Sequence, residues 1–476
     1  MKKPFGYMQF RFRRPITSDM LFTLLQNSIL QIIIASLILY YLVTNVATRF
    51  GFIFLIFMVI GFFFVIYFTA RIKEALLFIF FIRFTVDMFW NVRFLGLSAL
   101  DFAGGLVFVI FFFNLFIKKV KFLNYNNSKI VMLFLIVSFT THILGVTQLY
   151  LAGVSVNRLG TLKLIVRSFS PFLFYFITPI YFRYKTDMKK FVYAWVLGCI
   201  IPSITMIYAI IMGYGFERTT HGVARFAGFY HEAAGPGIVS SVLIFLIFLI
   251  FATEKLRRTK FITLFSLLAL NFYTLYISFA RVFVIPIVGG IIFWFIVQKK
   301  YFVSFILTIL TVIAFLKLPM AKARFEVERQ YLEGEAYFIS VGTGRPEKYG
   351  KAFDMYIHEY NITQKIFGKG PALPFSPHNE YFDMLLTGGL IRFIVYIRLF
   401  MLITKALING YISEKDKFLK KFNLVTLILF ASMPFQALSG SPLSWINLQW
   451  FIWSAVGISL NYKTSISSET NNGNLI

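Results

Sequence analysis

Long apolar runs alternate with short polar turns along most of this chain. A helix of about 20 residues crosses a hydrocarbon core of about 30 Å, and a window of that length marks roughly 14 runs. Their centres lie near Ile33, Met58, Phe81, Phe108, Leu135, Phe174, Ile201, Phe245, Phe272, Ile292, Ile309, Phe393, Leu429 and Val456. The pattern predicts an all-α, polytopic integral membrane protein with about 14 transmembrane helices.

The turns between these predicted spans differ in charge. Basic residues cluster in every second turn, at Arg71 and Lys73, Lys118 to Lys121, Arg183 to Lys190, Lys255 to Lys260, Lys299 and Lys300, and Lys405 to Lys421. Positive turns tend to stay in the cytoplasm, so the alternation predicts that both termini are cytoplasmic. The N-terminal segment lacks a short apolar core with a small-residue cleavage site, which indicates a retained anchor.

Two segments are too polar, and too rich in Gly and Pro, to be spans. The predicted organisation is an N-terminal transmembrane bundle over 1–212, a first outer loop over 213–235, transmembrane helices over 236–317, a large outer catalytic loop over 318–380, and C-terminal transmembrane helices with a short cytoplasmic tail over 381–476. Loops longer than about 12–15 residues are usually functional or disordered. We therefore expect chemistry in the second outer loop.

The second outer loop carries helix signals of its own. Pro346 suits the start of a helix, and aromatic and apolar residues recur after it at helical spacing, at Tyr349, Phe353, Tyr356, Ile357 and Tyr360. This spacing predicts a short amphipathic helix against the bundle or the lipid interface. After the breaks at Gly368 and Gly370, Asn379 is a predicted N-cap, which places His378 at a helix start.

Composition agrees with a membrane location. The chain is 58% hydrophobic, with a mean hydropathy of +0.76 and 62 Phe residues. Its net charge of +27 falls largely in the turns, where the positive-inside rule explains it, so we expect no nucleic-acid partner. The only cysteine, Cys199, excludes an intramolecular disulfide and Cys-rich metal sites.

His378 is the first candidate for chemistry. A helix N-terminus disfavours a nearby cation, so the imidazole should stay neutral and able to accept a proton. The alternative is a capping or interfacial histidine with no chemical role.

Three arginines stand apart from the basic turns: Arg225 and Arg345 in the outer loops, and Arg281 between two closely spaced apolar runs. Their planar guanidinium groups suit bidentate contacts with phosphate. The alternative is an ion pair with Glu217, Glu232 or Glu347, or contact with lipid headgroups.

Five short motifs occur in order between about residues 220 and 400. They are R-x-x-G-[FY] followed by His-Glu (Arg225, Gly228, His231, Glu232), an Arg that closes a span (Arg281), G-R (Gly344, Arg345), G-x-G (Gly368, Gly370) and H-N-x-x-x-x-x-L-x-x-G-[GL]-L (His378, Asn379, Leu385, Gly388, Leu390). Together they resemble the motifs of the O-antigen polymerase and O-antigen ligase family, GT-C-like membrane glycosyltransferases of the bacterial envelope. Two positions depart from the family pattern: Ala280, where Ser is frequent, and Arg392, where Gly is usual.

The resemblance implies transfer of a glycan from undecaprenyl diphosphate to a sugar hydroxyl, at the outer face of the bacterial inner membrane. His378 would be the base, with Glu232 in reserve. Arg225, Arg281 and Arg345 would bind the diphosphate, while Asn379, Gly228 and Gly344 would position the site. We expect no metal and no cofactor, an inverting reaction, and the lipid bilayer and a chain-length regulator protein as partners.

Two other functions remain open. A ligase onto lipid A core needs the same donor chemistry as a repeat-unit polymerase; the form of the first loop favours the polymerase. A lipid-linked sugar flippase or other transporter would place ionisable residues and broken helices near the bilayer midplane. Arg83 and Asp87, one turn apart in a span, favour that class, and we interpret them as an internal ion pair.

Overall fold

The computed structural model describes the greater part of the chain from Arg71 onward. The described residues are 71–89, 92–94, 97–151, 153, 158–218, 224–278, 280–317, 326, 330, 333–334, 345–370 and 375–462. The predicted spans centred on Ile33 and Met58 lie outside them, as does Gly344. One compact unit comprises Leu76–Leu115 and Val120–Ile476, and all contacts considered below lie within it.

Helices dominate the part of the chain that the structure describes. In chain order they are α1 (Ile72–Val86), α2 (Ala99–Phe112), α3 (Ser128–Leu151), α4 (Arg158–Tyr181), α5 (Lys185–Gly198), α6 (Ile200–Ile211), α7 (Ala234–Thr253), α8 (Arg258–Ser278), α9 (Arg281–Val297), α10 (Tyr301–Lys317), α11 (Arg345–Asp354), α12 (Ile362–Phe367), α13 (Glu380–Ser413), α14 (Lys417–Ala437) and α15 (Ile446–Asn461). The strands within the described residues form two antiparallel hairpins, β1 (Arg93–Phe94) with β2 (Leu97–Ser98), and β3 (Phe216–Arg218) with β4 (Ala224–Phe226). The predicted all-α class is confirmed.

Several of these helices have the length and composition of membrane spans. Among the described residues, 8 helical segments qualify: Ala99–Ile117, Ser128–Gln148, Gly160–Tyr181, Lys185–Ile211, Ala234–Thr253, Arg258–Ser278, Glu380–Ser413 and Lys417–Ala437. The predicted span centres from Phe81 to Val456 all fall inside helices. Four of these helices, α1, α9, α10 and α15, are shorter than the 8 qualifying segments. The chain is therefore a membrane-embedded helical protein, and the full count of 14 spans stays a prediction.

An aromatic cluster holds the centre of the bundle together. The ring of Phe80 in α1 stacks on Trp195 of α5 with centroids 5.3 Å apart, and Phe191 of α5 stacks on Phe451 of α15 at 6.0 Å. Trp450 in α15 meets Phe174 in α4 at 4.9 Å. Such ring pairs add about 0.5–1.5 kcal/mol each beyond the area that they bury.

One end of the bundle carries the predicted basic turns at Arg183 to Lys190, Lys255 to Lys260 and Lys405 to Lys421, and polar contacts hold it together. Lys185 pairs with Asp416 at 2.6 Å, joining the start of α5 to the start of α14. Lys260 pairs with Glu254 at 3.0 Å, and Tyr193 donates to the same carboxylate. Partial burial raises the pKa of Glu254, but the bonds from Tyr193 and Lys260 outweigh it and leave this pKa below its usual value. We call this the basic end.

A second set of polar contacts lies at the C-terminal end of α14, at the other end of that helix from Asp416. There Asn379, just before α13, donates through Nδ2 to the carbonyl of Leu438 after α14, at 3.2 Å. The amide of Glu380 donates to the carbonyl of Gly440 at 3.1 Å. We call this the site end, because the candidate residues described below lie there.

Helix α13 is two helices joined at a kink. Gly389 has φ +66° and ψ −174°, a conformation reserved for glycine. The kink leaves the carbonyls of Leu386 and Thr387 available, and they accept the amides of Lys369 and Gly370 at 2.9 and 3.0 Å. The segment that follows α12 is thereby docked against α13.

The segment from α11 to α12 confirms the predicted helix signals in the second polar segment. Ala352, Met355 and Tyr360 are buried against Leu386 of α13. Phe353 is 55% exposed and lies outside this buried cluster, so its predicted contact with the bundle or the lipid interface stays a prediction. A π-helical turn over Met355–Glu359 follows α11 and brings Tyr360 to the buried face.

Candidate functional site

His378 lies at the junction between the polar segment and α13. Asn379 is the N-cap, as predicted: its side chain accepts the amides of Tyr381 and Phe382 at 2.9 and 3.2 Å. His378 itself adopts φ +53°, the left-handed conformation, and its side chain is exposed. The chain therefore turns sharply just before the helix and leaves the imidazole at the surface of the site end.

The surroundings of His378 keep its ring neutral. Partial burial lowers the pKa of His378 below its usual value, and the nearby charges of Lys348 and Arg345 lower it further. The sequence predicted a neutral ring from the helix N-terminus alone; the structure adds two cations from α11. It therefore brings Arg345, one of the predicted phosphate ligands, to the predicted base.

Arg225 and Arg281 converge at a second place, the turn between α8 and α9. Arg281 is the first residue of α9, and Ser278 is the last of α8, so the predicted short connection is confirmed. Arg225 in β4 donates through Nε to the carbonyl of Ser278 at 3.3 Å. The backbone register of the hairpin places Glu217 opposite Arg225.

Gly228 has a backbone role in the first polar segment. Its φ is +61°, and its backbone lies so close to Gly215 that a Cβ on Gly215 would come within 2.4 Å of the Gly228 carbonyl oxygen. The carbonyl of Gly215 accepts the amides of Ala227 and Gly228 at 2.8 and 3.2 Å. This turn fixes the segment that leads to His231 and Glu232.

Glu232 lines a cavity that the sequence did not predict. The cavity has a volume of about 320 Å³ and lies between the middle of α4 and the ends of α1, α2, α7 and α15. Its lining residues, which define the Glu232 cavity, are Arg83, Asp87, Leu100, Arg167, Tyr230, His231, Glu232, Ala234, Gly235, Ile238, Ser444, Trp445, Ile446 and Asn447. The reserve base and two arginines therefore share one space.

The ion pair between Arg83 and Asp87 is confirmed, with Nη1 and Oδ1 2.5 Å apart. The guanidinium also lies over the ring of Trp450, 4.8 Å from its centroid. The sequence reasoning missed that this pair faces Glu232. It also missed Arg167, which is bound to Asp101 through Nε at 2.6 Å and through Nη2 at 3.0 Å.

A second polar cavity, of about 220 Å³, lies between α3, α4 and α13. Its charged lining residues are Glu380, Asp383 and Arg392, and we name it the Glu380 cavity. Arg392 donates to Ser138 at 3.1 Å and to Thr387 at 3.0 Å. Its side chain passes over Gly388, where an added Cβ would meet Arg392 Cδ at 2.1 Å.

The departure from the family pattern at Arg392 was the one sequence signal for this second cavity. Glu380 and Asp383 lie in the first turn of α13. In the structure Glu380 is 5% exposed and accepts the amide of Leu443 at 3.0 Å, and Asp383 accepts Ser441 at 2.6 Å. Both carboxylates therefore hold the connection between α14 and α15.

That connection separates the two cavities. Ser444, in the short 3-10 turn Pro442–Ser444, lines both of them. Leu438, at its beginning, accepts Tyr349 at 2.6 Å as well as Asn379. The connection between α14 and α15 therefore contacts residues near His378 and also lines the Glu232 cavity. The two predicted bases themselves lie in different surroundings.

No protein-family model matches this chain, and no curated protein matches it either. The membrane-embedded helical fold is established by the structure, and the function has to be argued from the site.

Proposed function

We propose that this protein is a glycosyltransferase that moves a glycan from undecaprenyl diphosphate to a sugar hydroxyl, as a polymerase of lipid-linked oligosaccharide repeat units. The observation that carries the proposal is the exposed imidazole of His378 beside Arg345 and Lys348, whose charges together with partial burial lower its pKa and favour the neutral ring. A neutral imidazole can take the proton of an acceptor hydroxyl. Neighbouring cations can stabilise the charge that develops on a phosphate leaving group.

The proposed reaction is a direct displacement. The acceptor oxygen attacks the anomeric carbon, the bond from that carbon to the diphosphate oxygen breaks, and His378 takes the hydroxyl proton. Inversion at the anomeric carbon follows. Arg345, beside His378, supplies positive charge for the departing diphosphate in place of a metal ion. Arg225 and Arg281, at the turn between α8 and α9, are the proposed further ligands of the diphosphate, and Glu232 is the reserve base.

The proposed setting is the outer face of the bacterial inner membrane, with both termini in the cytoplasm. Support comes from the helix ends: the candidate residues gather at the end opposite the basic turns. A ligase that transfers glycan to lipid A core would use the same donor chemistry and differ in its acceptor. A chain-length regulator is the proposed protein partner of the polymerase.

A transporter is the second candidate, and the kink at Gly389 beside Glu380, Asp383 and Arg392 favours it. The position of the kink argues the other way. The roughly 24 residues from Leu390 to Ser413 extend about 36 Å as a helix, which already crosses the hydrocarbon core of about 30 Å. The break therefore falls near one surface, where an enzyme acting on a lipid-linked glycan needs its polar groups.

The test compares His378→Ala with His358→Ala, a matched control on an exposed histidine of the same polar segment. Purified protein is supplied with undecaprenyl diphosphate-linked oligosaccharide, and the products are separated by length. We expect His378→Ala to lose a factor of about 10²–10⁴ in rate and His358→Ala to keep its activity. Activity of His378→Ala within a few-fold of the wild type would remove this residue from the mechanism and move the role to Glu232.

The glycan ladder of a deletion strain separates the related functions. Products that stop at a single repeat unit indicate a lost polymerase. Free polymer on undecaprenyl diphosphate indicates a lost ligase. Lipid-linked repeat units that accumulate on the cytoplasmic face would indicate a lost flippase and would refute the proposal of an enzyme.

A further inference from the structure

We propose that the Glu232 cavity binds one uncharged sugar residue of a glycan, held by Arg83, Asp87 and Glu232. The inference rests on the proposed function for the identification of the ligand as a glycan. The cavity, with about 320 Å³, lies at the lower end of the range for small-molecule sites. It suits a single ring better than an extended oligosaccharide.

The strongest sign of a ligand-binding role is Arg83. Its side chain is 2% exposed but lines the cavity, and its Nη2 group forms no hydrogen bond with the described residues. The one carboxylate that it contacts, Asp87, engages Nη1. A buried guanidinium with unused N–H groups costs free energy unless an acceptor reaches it. The hydroxyl oxygens of a sugar are such acceptors.

Asn447 and Trp445 add to the sugar-like character of the cavity wall. Asn447 is 7% exposed, and its Oδ1 accepts the amide of Leu448 at 2.9 Å, so that its Nδ2 group remains as a donor. The ring of Trp445 packs against Phe283 with centroids 4.7 Å apart, which fixes it in place at the cavity. Fixed rings together with paired donors and acceptors recognise the apolar faces and the hydroxyl edges of sugars.

The balance of charge decides between a sugar and a phosphate. The groups that face the cavity are Arg83 of α1, Arg167 of α4, and Asp87, His231 and Glu232 from the connecting segments. The two guanidinium groups are matched by the two carboxylates, and Arg167 is also bound to Asp101. A diphosphate would bring at least two more negative charges into this partly buried space, without cations left to match them. An uncharged polyhydroxylated ring needs no such match.

Binding is tested without turnover, by saturation-transfer NMR on the full-length protein in nanodiscs. The ligands are the methyl glycosides of glucose, galactose, mannose, N-acetylglucosamine and N-acetylgalactosamine, with inorganic pyrophosphate as the competitor. We expect at least one glycoside to bind and pyrophosphate to leave it in place. Binding by none of the glycosides, or displacement by pyrophosphate, would overturn the inference.

Variants locate the binding within the cavity. Glu232→Gln changes an exposed carboxylate and Arg83→Lys keeps the ion pair with Asp87, so both should fold. We expect each to weaken binding by about tenfold, since each removes a charge-assisted hydrogen bond. Glu359→Gln, an exposed carboxylate outside the cavity, is the matched control and should bind as the wild type does. Unchanged affinity in both cavity variants would place the sugar elsewhere.

His378→Ala separates this inference from the proposed function. It should bind the glycoside normally while losing glycan transfer. Glycoside binding by a wild-type protein that shows no transfer would sustain the sugar site and refute the enzyme. Transfer without glycoside binding would sustain the enzyme and refute the sugar site.

Discussion

Replacement of Gly389 by alanine should detach the segment that follows α12 from α13. A Cβ at this position would come within 2.2 Å of the Ile366 carbonyl oxygen and 2.5 Å of the Gly368 nitrogen. Both are backbone atoms, so no side-chain rotation can relieve the clash. The positive φ costs about 1–3 kcal/mol for a residue with a side chain. The loss of the two amide bonds to Leu386 and Thr387 adds about 0.5–1.5 kcal/mol each. The total is about 2–6 kcal/mol.

Hydrogen exchange measures this effect at the residues concerned. A penalty of about 2 kcal/mol, the lower limit, corresponds to about 30-fold faster exchange of the Lys369 and Gly370 amides. Gly350→Ala is the matched control, because Gly350 lies in α11 of the same polar segment and an added Cβ there meets no atom within 4 Å. We expect the control to be neutral or to stabilise the helix by about 0.5–1 kcal/mol. Protection of Gly370 that stays at the wild-type level in Gly389→Ala would refute the docking argument.

Three further predictions concern the site. Because the pKa of His378 is lowered, the acid limb of the pH profile of kcat/KM should have its midpoint below the usual histidine pKa. Lys348→Met should move this midpoint upward, because a repelling cation is lost. The control Lys351→Met should leave the midpoint in place. A midpoint unmoved in Lys348→Met would contradict this electrostatic account. Arg281→Lys should lose most of the transfer activity and Arg281→Ala nearly all of it, because a lysine lacks the planar fork; equal rates for Lys and Arg would exclude a bidentate diphosphate contact. With Cys199 replaced by Ala, Ser376→Cys should react with a membrane-impermeant thiol reagent added from outside, and labelling from the cytoplasmic side alone would reverse the orientation.

The helices could be predicted from the sequence because local rules govern them. Apolar runs located the helices from Phe81 to Val456, and the preference of Asn for N-caps located the start of α13 at Asn379. The spacing of Arg83 and Asp87 sufficed for their ion pair, since residues four apart meet on a helix. Each of these features depends on neighbours within one or two turns.

The cavities could not be predicted, because they depend on contacts between distant parts of the chain. Nothing near Glu232 in the sequence indicates that Arg83 and Arg167 reach the same space. The side chain of Arg392 turns toward Ser138 of α3, which is 254 residues away along the chain. The π-helical turn after α11 could not be predicted either, because helical periodicity assumes a constant number of residues per turn.

The close backbone approach between Gly370 and Gly145 has a consequence for the construction of chimeras. A Cβ on Gly145 of α3 would lie 2.1 Å from the Gly370 Cα, and Gly368 meets α13 at the Thr387 carbonyl with similar closeness. The polar segment is thus not an independent cassette. A graft that exchanges residues 345–380 for those of another protein will pack correctly only if the recipient also has residues without a Cβ at the positions of Gly145 and Gly389.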